Sequence, residues 1–274
     1  MKIRLVASDL DGTLLNSRGE LSGENAEAIR ALYEMGIYFV PATGRTYSEL
    51  IPALADNPYI RYYVLSSGAA VYDKQTDVSS SISLPVDTVR RAFRVFERYE
   101  YFGVAHCGKS AVMSVRELKK SPLVYGYLRE LFLEVAEDID NFRENLEARC
   151  DVDMLCAVFE SAEVLDAVVA EIKAIGGVEV CTGTLGRGVY NIEICAKGAD
   201  KGSAVARLAD MLGIDSGEVA VIGDSANDYS MISRFENSFA VENARSQIKD
   251  TANYSLCSNN DHAIKYLLES FIKP

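Results

Sequence analysis

The strongest constraint in this sequence is a junction that recurs along it: a short apolar run stops at a polar cluster, and a stretch with helical spacing follows. Residues 3–7 are largely apolar and end at Ser8-Asp9, as a buried parallel strand would. Residues 24–35 place Ala28, Ala31, Leu32 and Met35 on one helical face, with Ser22 as candidate N-cap and Gly36 just past the end. A second run, 37–40, ends at Pro41-Ala42-Thr43-Gly44. A helix fits 47–55, and 62–66 is a third run. This βαβαβ order predicts an α/β fold with a doubly wound, Rossmann-like parallel sheet.

The middle of the chain changes character. Helical stretches (86–99, 123–136, 162–175) alternate with strand-like ones (102–105, 111–115, 154–159, 178–181), and none carries a phosphate or metal signature. The tail then resumes the first pattern, with a helix over 202–212, a strand over 219–222 ending at Gly223-Asp224, and a helix starting at 229. A strand over 239–241 and a final amphipathic helix over 263–272 complete it. The simplest arrangement is one core built from residues 1–83 and 190–274, with an α+β cap domain, 84–189, inserted between them. At 274 residues the chain suits this division.

The net charge of −12 argues against nucleic acid or an anionic membrane as partner, since both need a basic face. No apolar run approaches bilayer-spanning length, and the N-terminal run is too short for a signal peptide. The six cysteines are scattered without a Cys-x-x-Cys, and the two histidines, His106 and His262, are far apart, which disfavours zinc. Reduced thiols and a cytoplasmic location are the expectation.

Ligands of open parallel sheets bind beyond the carboxyl ends of the strands. That rule gathers Asp9-Leu10-Asp11-Gly12-Thr13, Thr43-Gly44-Arg45 and Gly223-Asp224-Ser225-Ala226-Asn227-Asp228 along one edge. Asp9 and Asp11, two apart in extended backbone, share a face. Two close carboxylates repel unless a cation lies beside them. With Asp224 as a further oxygen donor, the set suits Mg²⁺ better than zinc. Taken singly, each element has a plainer reading. Asp11-Gly12 fits a turn, Thr43-Gly44 a helix cap, and Asp224 to Asp228 an N-cap with an acidic first turn. Lys201 and Lys197 both fit a role in neutralising an anion, and spacing does not separate them.

The joint order decides the matter. Asp-x-Asp-Gly-Thr, Thr-Gly-Arg, Lys-Gly and Gly-Asp-x-x-Asn-Asp strongly resemble the haloacid dehalogenase superfamily, in particular its Cof-like branch with a class IIB cap. The interval from Arg45 to Lys201 holds the cap, which is typical of that branch. The resemblance implies that Asp9 is the nucleophile. Asp11 would serve as acid and then base, its backbone carbonyl joining Asp9 and Asp224 around Mg²⁺. It further implies that Asp228 orients the site, and that Thr43, Gly44, Lys201 and Asn227 hold the phosphoryl oxygens. Matching the family's Lys-Gly favours Lys201 over Lys197. Arg45, Ser67, Gly68 and Arg187 are candidate substrate contacts, with His106 and Lys109 as further cap candidates.

Two departures stand out. Ser67-Gly68 replaces the usual Asn-Gly, and Asp261-His262-Ala263 replaces an Asp-Gly-Val-like stretch. The presence of Asp11 points to a phosphatase, because dehalogenases of the superfamily lack this aspartate and the related transport ATPases carry Thr there. A phosphomutase is the nearest rival. A binding protein without turnover would have lost Asp9, Asp11, Lys201 or Asp224, and none is lost. The expected partner is a small phosphorylated metabolite, with sugar phosphates ahead of flavin mononucleotide or pyridoxal phosphate.

Overall fold

A computed structural model describes residues 2–273 and divides the chain into two compact units. The first contains residues 2–44, Leu50–Ser80 and 200–273. Its centre is a five-stranded parallel sheet in the order Tyr254–Ser255, Asn237–Ala240, Val219–Gly223, Leu5–Ser8, Tyr38–Pro41. Leu5, Val6 and Ala7 are fully buried, as are Val219 to Ile222 beside them, so the central strands read as continuous apolar runs. Helix Gly23–Glu34 begins where expected, its Ser22 hydroxyl accepting the Asn25 N–H at 3.2 Å.

Two elements near the Tyr38–Pro41 strand differ from expectation. The third strand, Tyr62–Leu65, meets the parallel sheet through an isolated bridge between Ala42 and Val64, then pairs antiparallel with Ala70–Asp73 in a three-stranded sheet. The helix expected over 47–55 is instead a 3₁₀ turn, Tyr47–Glu49, followed by a short helix, Pro52–Ala55. Pro52 is the cause, because its ring forces Ile51 into extended backbone (φ −64°, ψ 146°) and ends any helix arriving from the left.

The second unit contains Arg45–Glu49 and Ser81–Ala199. Its six-stranded sheet runs Val178–Gly186, Val189–Ala196, Val152–Phe159, Phe102–Cys107, Ser110–Met113, Glu137–Asp138, antiparallel except for the last pair. Helices Val86–Phe96 and Ala162–Ile175 supply much of its core. Phe96 is fully buried and sits 6.2 Å from Phe93 and 5.8 Å from Phe159, ring to ring. The detached stretch Arg45–Glu49 is bound in by the Ser48 N–H, which donates to the Lys109 carbonyl at 3.0 Å. Its Glu49 carboxylate lies 3.6 Å from His106 Nε2. Strand Val189–Ala196 follows a turn in which Arg187 and Gly188 both have positive φ (50° and 75°). No helix among the described residues is long and apolar enough to cross a membrane.

Candidate active site

The Leu5–Ser8 strand delivers Asp9 as its last rung, the Asp9 N–H donating to the Ile222 carbonyl at 3.0 Å. The chain then folds back, with Thr13 and Leu15 both donating to the Leu10 carbonyl. This turn needs Gly12, whose φ is +86° and on which a Cβ would stand 2.8 Å from Asp224 Oδ2. Asn243 Nδ2 pins the turn by donating to the Gly12 carbonyl at 2.7 Å. Asp11 follows Leu10 on this turn and is exposed.

The neighbouring strand, Val219–Gly223, ends at Asp224 in the same way. Thr13 Oγ1 donates to Asp224 Oδ1 at 3.3 Å, joining the two strand ends. Asp228 is fully buried, and its Oδ2 accepts the N–H groups of Asp224 (2.9 Å) and Ser225 (3.0 Å) in a capping box. Its Oδ1 accepts from Lys201 Nζ at 2.7 Å, and the same ammonium donates to Asp9 Oδ1 at 2.7 Å. Lys201 opens helix Lys201–Met211, N-capped by Asp200, and its side chain is wholly buried. Spacing could not separate Lys201 from Lys197. In the fold Lys201 is buried among carboxylates, whereas Lys197 is exposed.

Carboxylate oxygens of Asp9, Asp224 and Asp228 lie within 4.8 Å of one another, so three potential negative charges face one ammonium. Burial, and then the Asp228 carboxylate, push Asp9 well above the usual carboxyl range, with Lys201 pulling the other way. Burial and Asp228 push Asp224 up to about 6. For Lys201, burial opposes the charge, but Asp228 and Asp9 outweigh it and its pKa is raised. An all-oxygen cluster with surplus negative charge fits a hard divalent cation. Asp9, Asp224 and Asp228 are the carboxylates close enough together to share one.

Thr43 is buried just past the Tyr38–Pro41 strand. Its N–H donates to the Val64 carbonyl at 2.9 Å and its carbonyl accepts from Ser67 at 3.0 Å, so Ser67-Gly68 lies against the Thr43-Gly44 loop. Asn227 is half-buried, its Oδ1 accepting from the Ser225 hydroxyl at 2.8 Å. Arg45 and Arg187 belong to the second unit. There Arg45 Nη1 donates to the Glu49 carbonyl at 3.0 Å, and the Arg187 guanidinium lies 4.8 Å from the Tyr125 ring centre. His106, one of the further cap candidates, is buried beside Glu49. Sequence reasoning overlooked Thr13 as a link between strand ends, although it lies in a quoted motif. It also overlooked Asn243, for which the sequence carries no signal.

Two parallel strands thus end in Asp9 and Asp224, with the buried Lys201 ammonium held between the Asp9 and Asp228 carboxylates. The family model for haloacid dehalogenase-like hydrolases matches residues 6–268, and the chain belongs to that family. A 5-amino-6-(5-phospho-D-ribitylamino)uracil phosphatase of Escherichia coli (strain K12) is 30% identical over 278 residues, covering 100% of this chain and 97% of the relative. A haloacid dehalogenase-like hydrolase from B. subtilis superposes with a TM-score of 0.82 at 25% identity, over 98% of this chain and 100% of that one. A subclass IIB sugar phosphatase of the superfamily shares the fold, with a TM-score of 0.80 at 20% identity over 98% of each chain. The protein is an enzyme, a phosphatase of the haloacid dehalogenase type.

Proposed function

We propose that the protein is a Mg²⁺-dependent, cytoplasmic phosphatase of small phosphorylated metabolites, sugar phosphates foremost, working through a phospho-aspartate on Asp9. The observation that carries this reading is the Asp9 carboxylate. It sits at a strand end and is hydrogen-bonded through Oδ1 to an ammonium that Asp228 locks in place. In the first half-reaction an Asp9 oxygen attacks phosphorus, the P–O bond to the leaving group breaks, and Asp11 gives that oxygen its proton. In the second, Asp11 takes a proton from water as the water attacks phosphorus. The P–O bond to Asp9 then breaks, releasing phosphate and the free carboxylate.

Lys201, Thr43, Asn227 and the Gly44 backbone hold the phosphoryl oxygens, so that charge developing on them meets fixed donors. The Asp9 and Asp224 carboxylates with the Asp11 carbonyl would hold Mg²⁺. When bound, the ion offsets negative charge on the phosphoryl group and on the carboxylate cluster. Asp228 acts through Lys201 and through the backbone of Asp224. The second unit, Ser81–Ala199 with Arg45–Glu49, is the specificity domain. Arg45, Ser67, Gly68 and Arg187 contact the organic part of the substrate, and an Arg187→Ala variant with every KM unchanged would remove Arg187 from that set.

The identity with the Escherichia coli relative favours a second substrate class, a ribitylaminopyrimidine phosphate. The deciding experiment measures phosphate release from a panel of sugar phosphates, flavin mononucleotide, pyridoxal phosphate and 5-amino-6-(5-phospho-D-ribitylamino)uracil. Release is expected to need Mg²⁺, to stop with EDTA and to vanish in Asp9→Asn. Release that persists in Asp9→Asn would sink the covalent route.

A further inference from the structure

Ser66, Ser67 and Gly68 have φ values of 50°, 54° and 99°, three successive residues in left-handed backbone, two of them with side chains. Such a turn persists only where its surroundings hold it. Three holds are visible. The Ser67 N–H donates to the Thr43 carbonyl at 3.0 Å, and Ala69 N–H closes the turn on the Ser66 carbonyl at 3.0 Å. Arg207 Nη2 donates to the Gly68 carbonyl at 3.1 Å. Gly68 itself lies flat against the start of the next helix, where a Cβ would stand 2.2 Å from the Asp200 carbonyl carbon and oxygen and 2.5 Å from the Lys201 nitrogen.

Arg207 follows Lys201 by six residues on one helix, a rise of about 9 Å. One rigid rod thus delivers an ammonium to Asp9 at its start and a guanidinium to the strained turn farther along. The turn in turn supplies the donor that meets the Thr43 carbonyl. Arg207 also lines a cavity of about 250 Å³ with Val71, Leu208 and Met211, so its head group can be changed without refilling a packed core.

We infer that Arg207 is a positioning residue: it clips the Ser66–Gly68 turn to the helix that carries Lys201, and so fixes the Thr43 and Ser67 groups that receive the substrate. The substrate half of this statement rests on the phosphatase reading, whereas the clipping of the turn does not. Arg207→Met keeps the aliphatic stem and removes the donor, while Arg207→Lys keeps a donor. Amide hydrogen exchange of Ser67, followed by NMR in protein without substrate, is expected to speed up about tenfold in Arg207→Met and to be largely restored in Arg207→Lys. With a phosphorylated substrate, KM is expected to rise about tenfold in Arg207→Met while kcat stays within about threefold. Unchanged Ser67 exchange would overturn the inference whether or not the wild-type enzyme turns over. Faster exchange with KM unchanged in an active enzyme would overturn it as well, as would KM, kcat and melting temperature all deteriorating together. A wild-type enzyme without phosphate release would instead sink the phosphatase reading and the substrate half with it.

Discussion

At the residue scale, the site depends on positions where no other side chain fits. Gly12→Ala is expected to cost about 1–3 kcal/mol in urea unfolding, since it sets a Cβ at φ +86° against Asp224 Oδ2. An unchanged midpoint would mean that the turn relaxes freely. Away from the site, Asp73 accepts two bonds from the Arg61 guanidinium (3.0 and 2.8 Å), which, with the Gln75 N–H, hold its carboxyl below the usual range. A depressed carboxyl pKa contributes stability above its unfolded value and loses it as pH falls through the folded one. Asp73→Asn should therefore cost about 0.5–1 kcal/mol at pH 7, discounted for the part-exposed guanidinium, and nothing once both states are protonated. A cost that stays constant down to pH 2 would contradict this. The residues on strand ends, Asp9, Thr43 and Asp224, were legible because an apolar run ending in a carboxylate or hydroxyl announces itself. Asn243 and Arg207 were not, because their partners are main-chain carbonyls at Gly12 and Gly68, far away in sequence and without a side-chain signal.

At the element scale, boundaries followed local chemistry. Ser22 caps helix Gly23–Glu34 as its position predicted, and Ser22→Ala should lower stability by about 1 kcal/mol while leaving kcat unchanged. A drop in kcat without loss of stability would show that the helix start reaches the chemistry. The alternation of strands and helices in the parallel sheet was readable because buried parallel strands are continuous apolar runs. Strand Val189–Ala196 escaped notice, since its Asn191 and Glu193 interrupt the run and its partner strand Val178–Gly186 is mostly half-buried or exposed. The joint of the third strand to the sheet was equally hidden, because a bridge between Ala42 and Val64 leaves no periodicity behind.

At the scale of the whole molecule, each unit has a core of its own. Phe96→Ala should cost the second unit about 3–5 kcal/mol. Amides of Val6 and Val221, in the parallel sheet, should keep their slow exchange under conditions where those of Leu155 and Ile194 lose it. Simultaneous loss in both sheets would show one cooperative unit. The chain passes between the units at Gly44–Arg45, Glu49–Leu50, Ser80–Ser81 and Ala199–Asp200, not merely at the two junctions that an inserted domain requires. Modular exchange is constrained by this. A graft that swapped only residues 81–199 for the corresponding piece of a relative would set another loop where the Lys109 carbonyl receives Ser48, and another surface where His106 lies beside Glu49. The five residues that follow Thr43-Gly44 would then face a foreign surface, so a working chimera must carry residues 45–49 along with the insert.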